Sequence, residues 1–255
     1  MKIHINKEPF ALITGASSGI GKATAISLAA LGKNLIIVAR RQERLDKLKQ
    51  ELENSYAIEV ITYALDVSDL KAVETFYQTI AEEKIDILIN NAGLSRGKES
   101  FEKYDFSDWE EMIDINIKGF LKVAQLCIPF LKDTKGHIVN LSSTAGLEAY
   151  EGGNVYGGTK SFVQMISKSL RIDLLGTSIR VTDIAPGAVN TEFSTVRFHG
   201  DKTKADTVYQ GFTELTAEDI ADNIVYCVTR PPHVNIESLV VYPTAQASPR
   251  IFHKK

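Results

Sequence analysis

Short runs of β-branched and apolar residues alternate with longer helical patterns along nearly the whole chain, and this alternation limits the fold more than any other feature. Strand–helix–strand units of this period join their strands by right-handed crossovers, which gives a parallel sheet with helices on both faces. No linker, repeat or low-complexity segment divides the 255 residues. The sequence therefore predicts one doubly wound α/β domain over residues 1–255. The seven predicted strands are residues 10–14, 35–39, 60–64, 85–90, 137–141, 180–184 and 239–241.

Two predicted helix starts carry a hydroxyl residue followed three residues later by a carboxylate, which is the spacing of a capping box. They are Ser107 with Glu110, and Thr216 with Asp219. The stretch 188–216 interrupts the alternation, because it has little apolar periodicity and several charges. Long segments of this kind in compact domains are often lids, so residues 188–216 are predicted to cover a substrate.

A glycine-rich turn joins the first predicted strand to the first helix. Glycines at this spacing allow a tight turn and a close backbone approach, and the helix start offers free N–H groups and the positive end of its dipole. The strand–turn–helix context favours a dinucleotide pyrophosphate site over a simple tight turn. The predicted contacts are Gly15, Ser17, Ser18, Gly19, Ile20 and Gly21.

Two arginines follow the second predicted strand, at the position where an NAD-binding unit carries an acidic residue for the ribose diol. Arg40 and Arg41 would instead attract a ribose 2′-phosphate, whose geometry matches a guanidinium group. The alternative is a pair of solvated residues at the start of the next helix. The cofactor predicted from these residues is NADP(H).

Tyr156 and Lys160 are four residues apart, so a helix places them on one face. A free phenol has a pKa of about 10, which suits proton transfer poorly at neutral pH. A nearby ammonium favours the phenolate, so Lys160 is expected to lower the pKa of Tyr156 toward general acid–base use. Ser142 and Ser143 end a predicted strand, where a hydroxyl could face the same substrate carbonyl.

These features together resemble the short-chain dehydrogenase/reductase family, in the order in which the family carries them and over nearly the whole chain. The resemblance implies a single Rossmann domain, with a sheet of about seven parallel strands, in a homotetramer or homodimer; we expect a homotetramer. The matching pieces are residues 14–21, Asp66, Val67, residues 90–93, Asn116, Ser143, Tyr156, Lys160, Pro186, Gly187 and Thr191.

The resemblance assigns catalytic roles to four residues. Tyr156 would be the general acid/base, and Ser143, chosen over Ser142 by the family's spacing to the tyrosine, would position the carbonyl oxygen. Lys160 would bind the nicotinamide ribose and depress the pKa of Tyr156. Asn116 would kink its helix and hold a water of the proton relay.

The resemblance also implies the rest of the cofactor site. Asp66 and Val67 would flank the adenine, and Asn91, beside Ala92 and Gly93, would meet the adenosine ribose. Residues 188–191, which include Val189 and Thr191, would face the nicotinamide amide, and Pro186 and Gly187 would also bind the cofactor. Gly157 and Gly158 depart from the family pattern, and we expect close backbone contact there with the cofactor or a neighbouring subunit.

Residues 190–201 and the tail 242–249 are similar to one branch of the family, the NADP-dependent 3-hydroxy acid dehydrogenases. This resemblance implies oxidation of a small 3-hydroxy acid, or reduction of the matching 3-oxo acid or aldehyde. A small carboxylate substrate requires a cation, and Arg197 lies in the predicted lid, where it either contacts substrate or pairs with Glu192, Asp201 or solvent. The alternatives are a carbonyl reductase of broader specificity and a catalytically silent nucleotide-binding regulator.

The composition limits which classes of binding partner are expected. A net charge of −3 with scattered basic residues argues against nucleic acid. Residues 1–8 lack the apolar run of a signal peptide, and no run is long enough to cross a bilayer, so no membrane partner is expected. The two cysteines, Cys127 and Cys227, lack metal-ligand spacing and read as buried thiols of a cytoplasmic protein without a metal.

Overall fold

The structure is a computed structural model that describes residues 8–255. In this range seven strands form one parallel sheet in the order β3-β2-β1-β4-β5-β6-β7, which confirms the predicted fold class. The prediction that the chain lacks a signal peptide depends mostly on residues 1–7, which lie outside the described range. The strands are β1 (Phe10–Thr14), β2 (Asn34–Ala39), β3 (Val60–Ala64), β4 (Ile85–Asn90), β5 (His137–Leu141), β6 (Arg180–Pro186) and β7 (Ser238–Val241).

The helices of the described range cover both faces of the sheet. A π-helical turn, Asp114–Gly119, separates α4 from α5, and a short 3-10 turn, Thr144–Gly146, follows β5. The helices are α1 (Gly19–Ala30), α2 (Gln42–Ser55), α3 (Leu70–Thr79), α4 (Phe106–Ile113), α5 (Phe120–Thr134), α6 (Asn154–Asp173), α7 (Glu192–Arg197), α8 (Lys202–Thr207) and α9 (Ala217–Val228).

The core forms two layers because the central strands are buried on both faces. In β1, Phe10 and Leu12 pack into one apolar cluster and Ala11 and Ile13 into the other. Successive side chains of a strand point to opposite faces, so a strand covered on both sides is apolar at every position. This explains why the sequence shows continuous apolar runs at the strands.

One of the two predicted capping boxes is confirmed and the other is wrong. The Thr216 hydroxyl accepts from the Asp219 N–H at 3.2 Å, and the Asp219 carboxylate accepts from the Thr216 N–H at 2.8 Å. Helix α4, however, begins at Phe106 with Asp105 as its N-cap, and the Asp105 carboxylate accepts from the Ser107 N–H at 2.9 Å. Asp105 is a stronger acceptor two residues earlier in the chain, so Ser107 lies inside the helix.

The segment 188–216 contains two short helices, α7 and α8, which its weak apolar periodicity did not predict. Their N-termini are capped by Thr191, which accepts from the Phe193 N–H at 3.2 Å, and by Asp201, which accepts from the Lys204 N–H at 3.0 Å. Helices this short depend on caps and tertiary contacts rather than on an amphipathic pattern of their own. The segment is therefore ordered against the body of the domain.

Within residues 8–255 no helix is long and apolar enough to span a membrane. The same residues contain no group of three or more histidine, cysteine or acidic side chains placed to hold a metal ion. Cys127 and Cys227 are buried free thiols, as the sequence predicts.

Candidate active site

The carboxyl ends of the central strands open onto one cleft of about 1020 Å³. Ligands of parallel α/β sheets bind at this edge, where the strand order reverses, here between β1 and β4. All the predicted site residues line the cleft except Gly21 and Asn116, which lie directly behind its wall. The predicted residues that line it are Gly15, Ser17, Ser18, Gly19, Ile20, Arg40, Arg41, Asp66, Val67, Asn91, Ala92, Gly93, Ser143, Tyr156, Lys160, Pro186, Gly187, Val189, Thr191 and Arg197.

The turn between β1 and α1 requires glycine at two positions. Gly15 has a φ of +67°, and a Cβ atom there would lie 2.8 Å from Nδ2 of Asn91. A Cβ atom on Gly21 would lie 2.5 Å from the carbonyl oxygen of Gly15. The turn therefore packs directly against α1 and the end of β4, as a close approach to a pyrophosphate requires.

The N-terminus of α1 offers hydrogen-bond donors to the cleft. Ser18 is the N-cap residue, but its side chain does not cap the helix, and the first turn has no acidic residue. The first N–H groups of a helix carry a positive partial charge. This donor set fits a pyrophosphate.

Asn91 holds the phosphate loop to the neighbouring strand end. Its amide donates to the Thr14 carbonyl oxygen at 2.8 Å, and the Thr14 hydroxyl accepts from the Asn91 and Ala92 N–H groups at 3.0 and 2.9 Å. The Asn91 side chain thus contacts the backbone of the phosphate loop, and its expected contact with the ribose stays a prediction.

Arg41 lies across the mouth of the phosphate loop. Its Nη2 donates to the hydroxyls of Ser17 and Ser18, each at 3.1 Å. Its Nη1 donates to Oε2 of Glu192 at 2.9 Å, and Arg44 donates to Oε1 of the same carboxylate at 2.6 Å. The sequence indicated neither Glu192 nor Arg44 as part of this cluster.

Arg40 and Asp66 follow the ends of β2 and β3 and line the cleft. Arg40 is exposed, with its Nη1 3.9 Å from Oε1 of Glu111. Asp66 accepts from the N–H and the hydroxyl of Ser68 at 3.0 and 2.7 Å, which stabilises the turn after β3. Of the two predicted arginines, only Arg41 contacts the phosphate loop.

Tyr156 and Lys160 are buried side chains on the inner face of α6, with 7% and 6% of their surface exposed. The Lys160 ammonium donates to the Leu141 carbonyl oxygen at 2.9 Å and lies 5.9 Å from the centroid of the Tyr156 ring. Ser143, at the end of β5, donates to the Pro186 carbonyl oxygen at 3.3 Å and accepts from the Ala145 N–H at 3.1 Å. The structure thus brings the three side chains to one wall of the cleft.

Asn116 lies in the π-helical turn between α4 and α5. Its Oδ1 accepts from the Leu94 N–H at 2.9 Å, and its Nδ2 donates to the Leu94 carbonyl oxygen at 2.8 Å and to the Thr159 hydroxyl at 3.1 Å. π-Helical turns occur mostly as local interruptions of α-helices. The helix is interrupted where the kink was expected, and the Asn116 side chain fixes the loop after β4 against α6.

Arg197 projects from the end of α7 into the cleft. Its Nε donates to the Ser95 hydroxyl at 3.0 Å and its Nη2 to the Tyr150 hydroxyl at 2.9 Å. The guanidinium carbon lies 5.3 Å from the Tyr156 ring centroid and 5.9 Å from that of Phe193. Among the described residues no carboxylate lies within ion-pair distance of Arg197, so the expected alternatives of pairing with Glu192 or Asp201 are wrong.

The C-terminal residues fold back onto the loop after β6. The buried Gln246 accepts from the Ala188 N–H at 2.8 Å, and a Cβ atom on Gly187 would lie 2.5 Å from its Oε1. Pro249, Arg250 and other tail residues line the cleft. The sequence offered no signal for this contact, because it joins residues far apart in the chain.

The glycines before Lys160 differ in what they contact. A Cβ atom on Gly157 would lie 2.9 Å from the Ala145 carbonyl oxygen, whereas one on Gly158 would meet nothing within 4 Å. The close contact expected at Gly157 is therefore made with the 3-10 turn of the same domain. Gly158 has open space, so the close contact expected there is absent within this chain.

Comparison with known proteins agrees with this geometry. The family model of the short chain dehydrogenases matches residues 9–202. A sulfoacetaldehyde reductase of Chromohalobacter salexigens is 46% identical over 239 residues, which cover 92% of this chain and 94% of that protein. An NADP-dependent 3-hydroxy acid dehydrogenase of Schizosaccharomyces pombe is 42% identical over 248 residues, which cover 96% of each protein. The chain belongs to the short-chain dehydrogenase family.

Comparison with solved structures also shows similarity between this short-chain dehydrogenase and other dehydrogenases. The closed form of serine dehydrogenase complexed with NADP+ is 43% identical and superimposes with a TM-score of 0.89, over 96% of this chain and 99% of that one. The sequence-based assignment to the family and to its 3-hydroxy acid branch is confirmed, and the chain is an oxidoreductase. The sequence predicts NADP(H) as the cofactor. The 3-hydroxy acid dehydrogenase is named as NADP-dependent, and the serine dehydrogenase structure contains NADP+.

In this short-chain dehydrogenase, burial raises the pKa of the Tyr156 phenol well above its usual value, and the neighbouring Tyr150 adds to the increase. The Arg197 guanidinium and the Ser143 hydroxyl lower the pKa of Tyr156, because both favour the phenolate. The pKa of Tyr156 is raised overall because burial outweighs the opposing effects, and the lowering expected from Lys160 stays a prediction. The cation that favours the phenolate is Arg197.

Lys160 and Asp183 are both buried, and their charges influence each other. Burial lowers the pKa of the Lys160 ammonium to about 8, and Asp183 opposes this shift. Burial raises the pKa of the Asp183 carboxyl to about 6, against the effects of Ser142 and Lys160. The ammonium form of Lys160 therefore predominates at neutral pH.

Proposed function

We propose that this protein is an NADP(H)-dependent oxidoreductase that interconverts a small 3-hydroxy acid and the corresponding 3-oxo acid or aldehyde. The anionic group of the substrate binds Arg197, and the reacting hydroxyl or carbonyl lies at Tyr156 and Ser143. The single observation that carries this proposal is the guanidinium of Arg197, which lies over the Tyr156 ring without a carboxylate partner among the described residues.

The position of Arg197 supports an anionic substrate in two ways. Its Nε and Nη2 are held by Ser95 and Tyr150, so the guanidinium has one fixed orientation. A planar guanidinium binds carboxylate or sulfonate through paired hydrogen bonds, and such charge-assisted bonds are strong where water is excluded. A small substrate anchored there has its β-carbon near the tyrosine.

The cleft supports NADP(H) as the cofactor through its donor set and its glycines. The N-terminus of α1 receives the pyrophosphate, and Arg41 with Ser17 receives the 2′-phosphate. Lys160 and the loop of residues 186–191 hold the nicotinamide half. When bound, the cofactor supplies or accepts the hydride at the substrate carbon.

Tyr156 moves the proton. Its phenol donates a proton to the carbonyl oxygen in reduction and accepts one from the hydroxyl in oxidation, while Ser143 holds the same oxygen. Arg197 favours the phenolate, so one cation both anchors the substrate and helps the tyrosine release its proton. Asn116 holds the water of the proton relay at the π-helical turn.

Residues 188–216 act as a lid over the substrate, and the protein assembles as a homotetramer. The lid is supported by Glu192, Arg197 and Tyr209, which all line the cleft.

The assembly is supported by the exposed apolar face of α6, which contains Met165 and Ile172 and is continued by Leu175. Sedimentation velocity tests the assembly, and a monomeric species would contradict it. The cytoplasmic location stays a prediction.

NADPH absorbance tests the function directly. We expect reduction of NADP+ with L-serine, 3-hydroxypropanoate or 3-hydroxybutanoate, and little reduction of NAD+. The 46% identical relative makes sulfoacetaldehyde a second candidate, because a sulfonate fits the same arginine. NADPH oxidation with uncharged aldehydes or diketones alone would favour a broad carbonyl reductase, and no turnover at all would favour a nucleotide-binding regulator.

The two directions of the reaction should depend differently on pH. Because burial raises the pKa of Tyr156, the phenol is protonated at neutral pH, which suits reduction. Oxidation needs the phenolate, whose fraction rises about tenfold per pH unit below the pKa. We therefore expect kcat/KM for oxidation to rise from pH 6 to 9 while that for reduction does not. A flat oxidation profile would exclude this assignment of the titrating group.

A further inference from the structure

The first residue of α7 is bound to the arginines that follow β2. The two oxygens of the Glu192 carboxylate accept separately from Arg41 at 2.9 Å and from Arg44 at 2.6 Å. The two arginines lower the pKa of the Glu192 carboxyl, against an opposing effect of burial, so the group is ionised at neutral pH. An anion of the protein itself therefore lies at the cluster that the proposed function assigns to the 2′-phosphate.

This cluster has the composition of a phosphate site. Arg41 also donates to the hydroxyls of Ser17 and Ser18 in the phosphate loop. Two guanidinium groups and two hydroxyls can bind a phosphate dianion more strongly than one carboxylate, because the phosphate has more charge and more acceptor atoms. Side chains of Glu192 and Arg41 are 44% and 39% exposed, so exchanging one anion for the other disturbs no core contact.

The opposite end of α7 is held by different contacts. Arg96 donates to the Val196 carbonyl oxygen at 2.7 Å, and the Gly97 N–H donates to the Arg197 carbonyl oxygen at 2.8 Å. Release of Glu192 therefore loosens the N-terminal end of α7 without detaching it, because the Ser194 hydroxyl stays bonded to the Tyr209 hydroxyl at 2.7 Å. Arg197 stays at the anchored end.

We propose that Glu192 is an internal competitor for the 2′-phosphate of NADP(H), and that binding of this phosphate releases the Glu192 carboxylate from Arg41 and Arg44 and so loosens the N-terminal end of α7. The inference rests on the proposed NADP(H) site at Arg41. It makes Glu192 a determinant of cofactor affinity and couples the 2′-phosphate to the lid. NAD(H), which lacks this phosphate, leaves the Glu192 carboxylate bound to the two arginines.

Calorimetric titration measures the competition. For Glu192→Gln we expect NADP+ and adenosine 2′,5′-bisphosphate to bind about three- to tenfold more tightly, as removal of one partly exposed charge allows. NAD+ and adenosine 5′-monophosphate should bind unchanged, and the gain for NADP+ should shrink at high salt. The control is Glu214→Gln, which removes the same charge from the lid but contacts Asn190 at 2.8 Å and no arginine.

Hydrogen exchange measures the release without turnover. Addition of adenosine 2′,5′-bisphosphate to the wild type should speed amide exchange at the N-terminal end of α7, and adenosine 5′-monophosphate should not. In Glu192→Gln the faster exchange should be present before any nucleotide is added.

The outcomes separate this inference from the function on which it rests. If Arg41→Ala weakens NADP+ binding but Glu192→Gln leaves both affinity and exchange unchanged, the competitor role is wrong and the cofactor site stands. If Arg41→Ala also leaves the affinity for NADP+ unchanged, the proposal that Arg41 binds the 2′-phosphate is wrong. Weaker NADP+ binding by Glu192→Gln would mean that the carboxylate positions Arg41, and would overturn the competition.

Discussion

Replacement of Tyr156 by phenylalanine is expected to lower kcat in both directions by roughly 10²- to 10⁴-fold, the usual contribution of a positioned acid–base group. This substitution removes only the hydroxyl group. The ring should therefore keep its packing against Phe193, whose ring centroid lies 5.5 Å from that of Tyr156. The Kd for NADP+ should therefore stay near that of the wild type. Steady-state rates and calorimetric titration of the same preparation measure the two quantities.

The matched control for this substitution is Tyr77→Phe. Tyr77 is also buried, and its hydroxyl donates to the Val123 carbonyl oxygen at 2.9 Å, away from the cleft. Its removal should change the free energy of unfolding and leave kcat near the wild-type value. Retention of most of the activity in Tyr156→Phe would remove this tyrosine from the proton-transfer step.

Replacement of Arg197 by alanine should raise the KM for 3-hydroxypropanoate by about 30- to 1,000-fold, the equivalent of about 2 to 4 kcal/mol for one partner of a desolvated charge pair. The KM for propane-1,3-diol, which has the same carbon chain without the carboxylate, should change little. Because Arg197 favours the phenolate, its loss should also move the oxidation profile to higher pH. Steady-state kinetics with the two substrates over a pH range measure both effects.

Arg250→Ala is the matched control in the same cleft. Arg250 also lines it, but its guanidinium is already paired with Glu148 at 2.6 Å. Loss of this paired, more exposed arginine should change the KM for the acid by less than about fivefold. Equal effects of Arg197→Ala on the acid and the diol would exclude Arg197 from the anion site.

The strands, the phosphate loop and the Tyr156–Lys160 pair were predictable because each depends on short-range spacing. A buried parallel strand needs a continuous apolar run, and a pyrophosphate turn needs glycines at fixed intervals before a helix. Residues four apart share a helix face whatever the rest of the chain does. Ser107 shows the limit of such patterns, because Asp105 competes for the same helix start and Phe106 packs on Trp109, with ring centroids 5.9 Å apart.

The sequence by itself thus determined the fold class and the phosphate loop through local periodicity and spacing, and its resemblance to the family marked the candidate catalytic side chains. Only the tertiary structure decided which partners those side chains have. Arg197 meets Ser95 102 residues away, and Arg41 meets Glu192 151 residues away. The pKa of Tyr156 likewise depends on burial and on Arg197 rather than on Lys160 alone. Desolvation and long-range charge pairing arise only when the chain is folded, so no local pattern contains them.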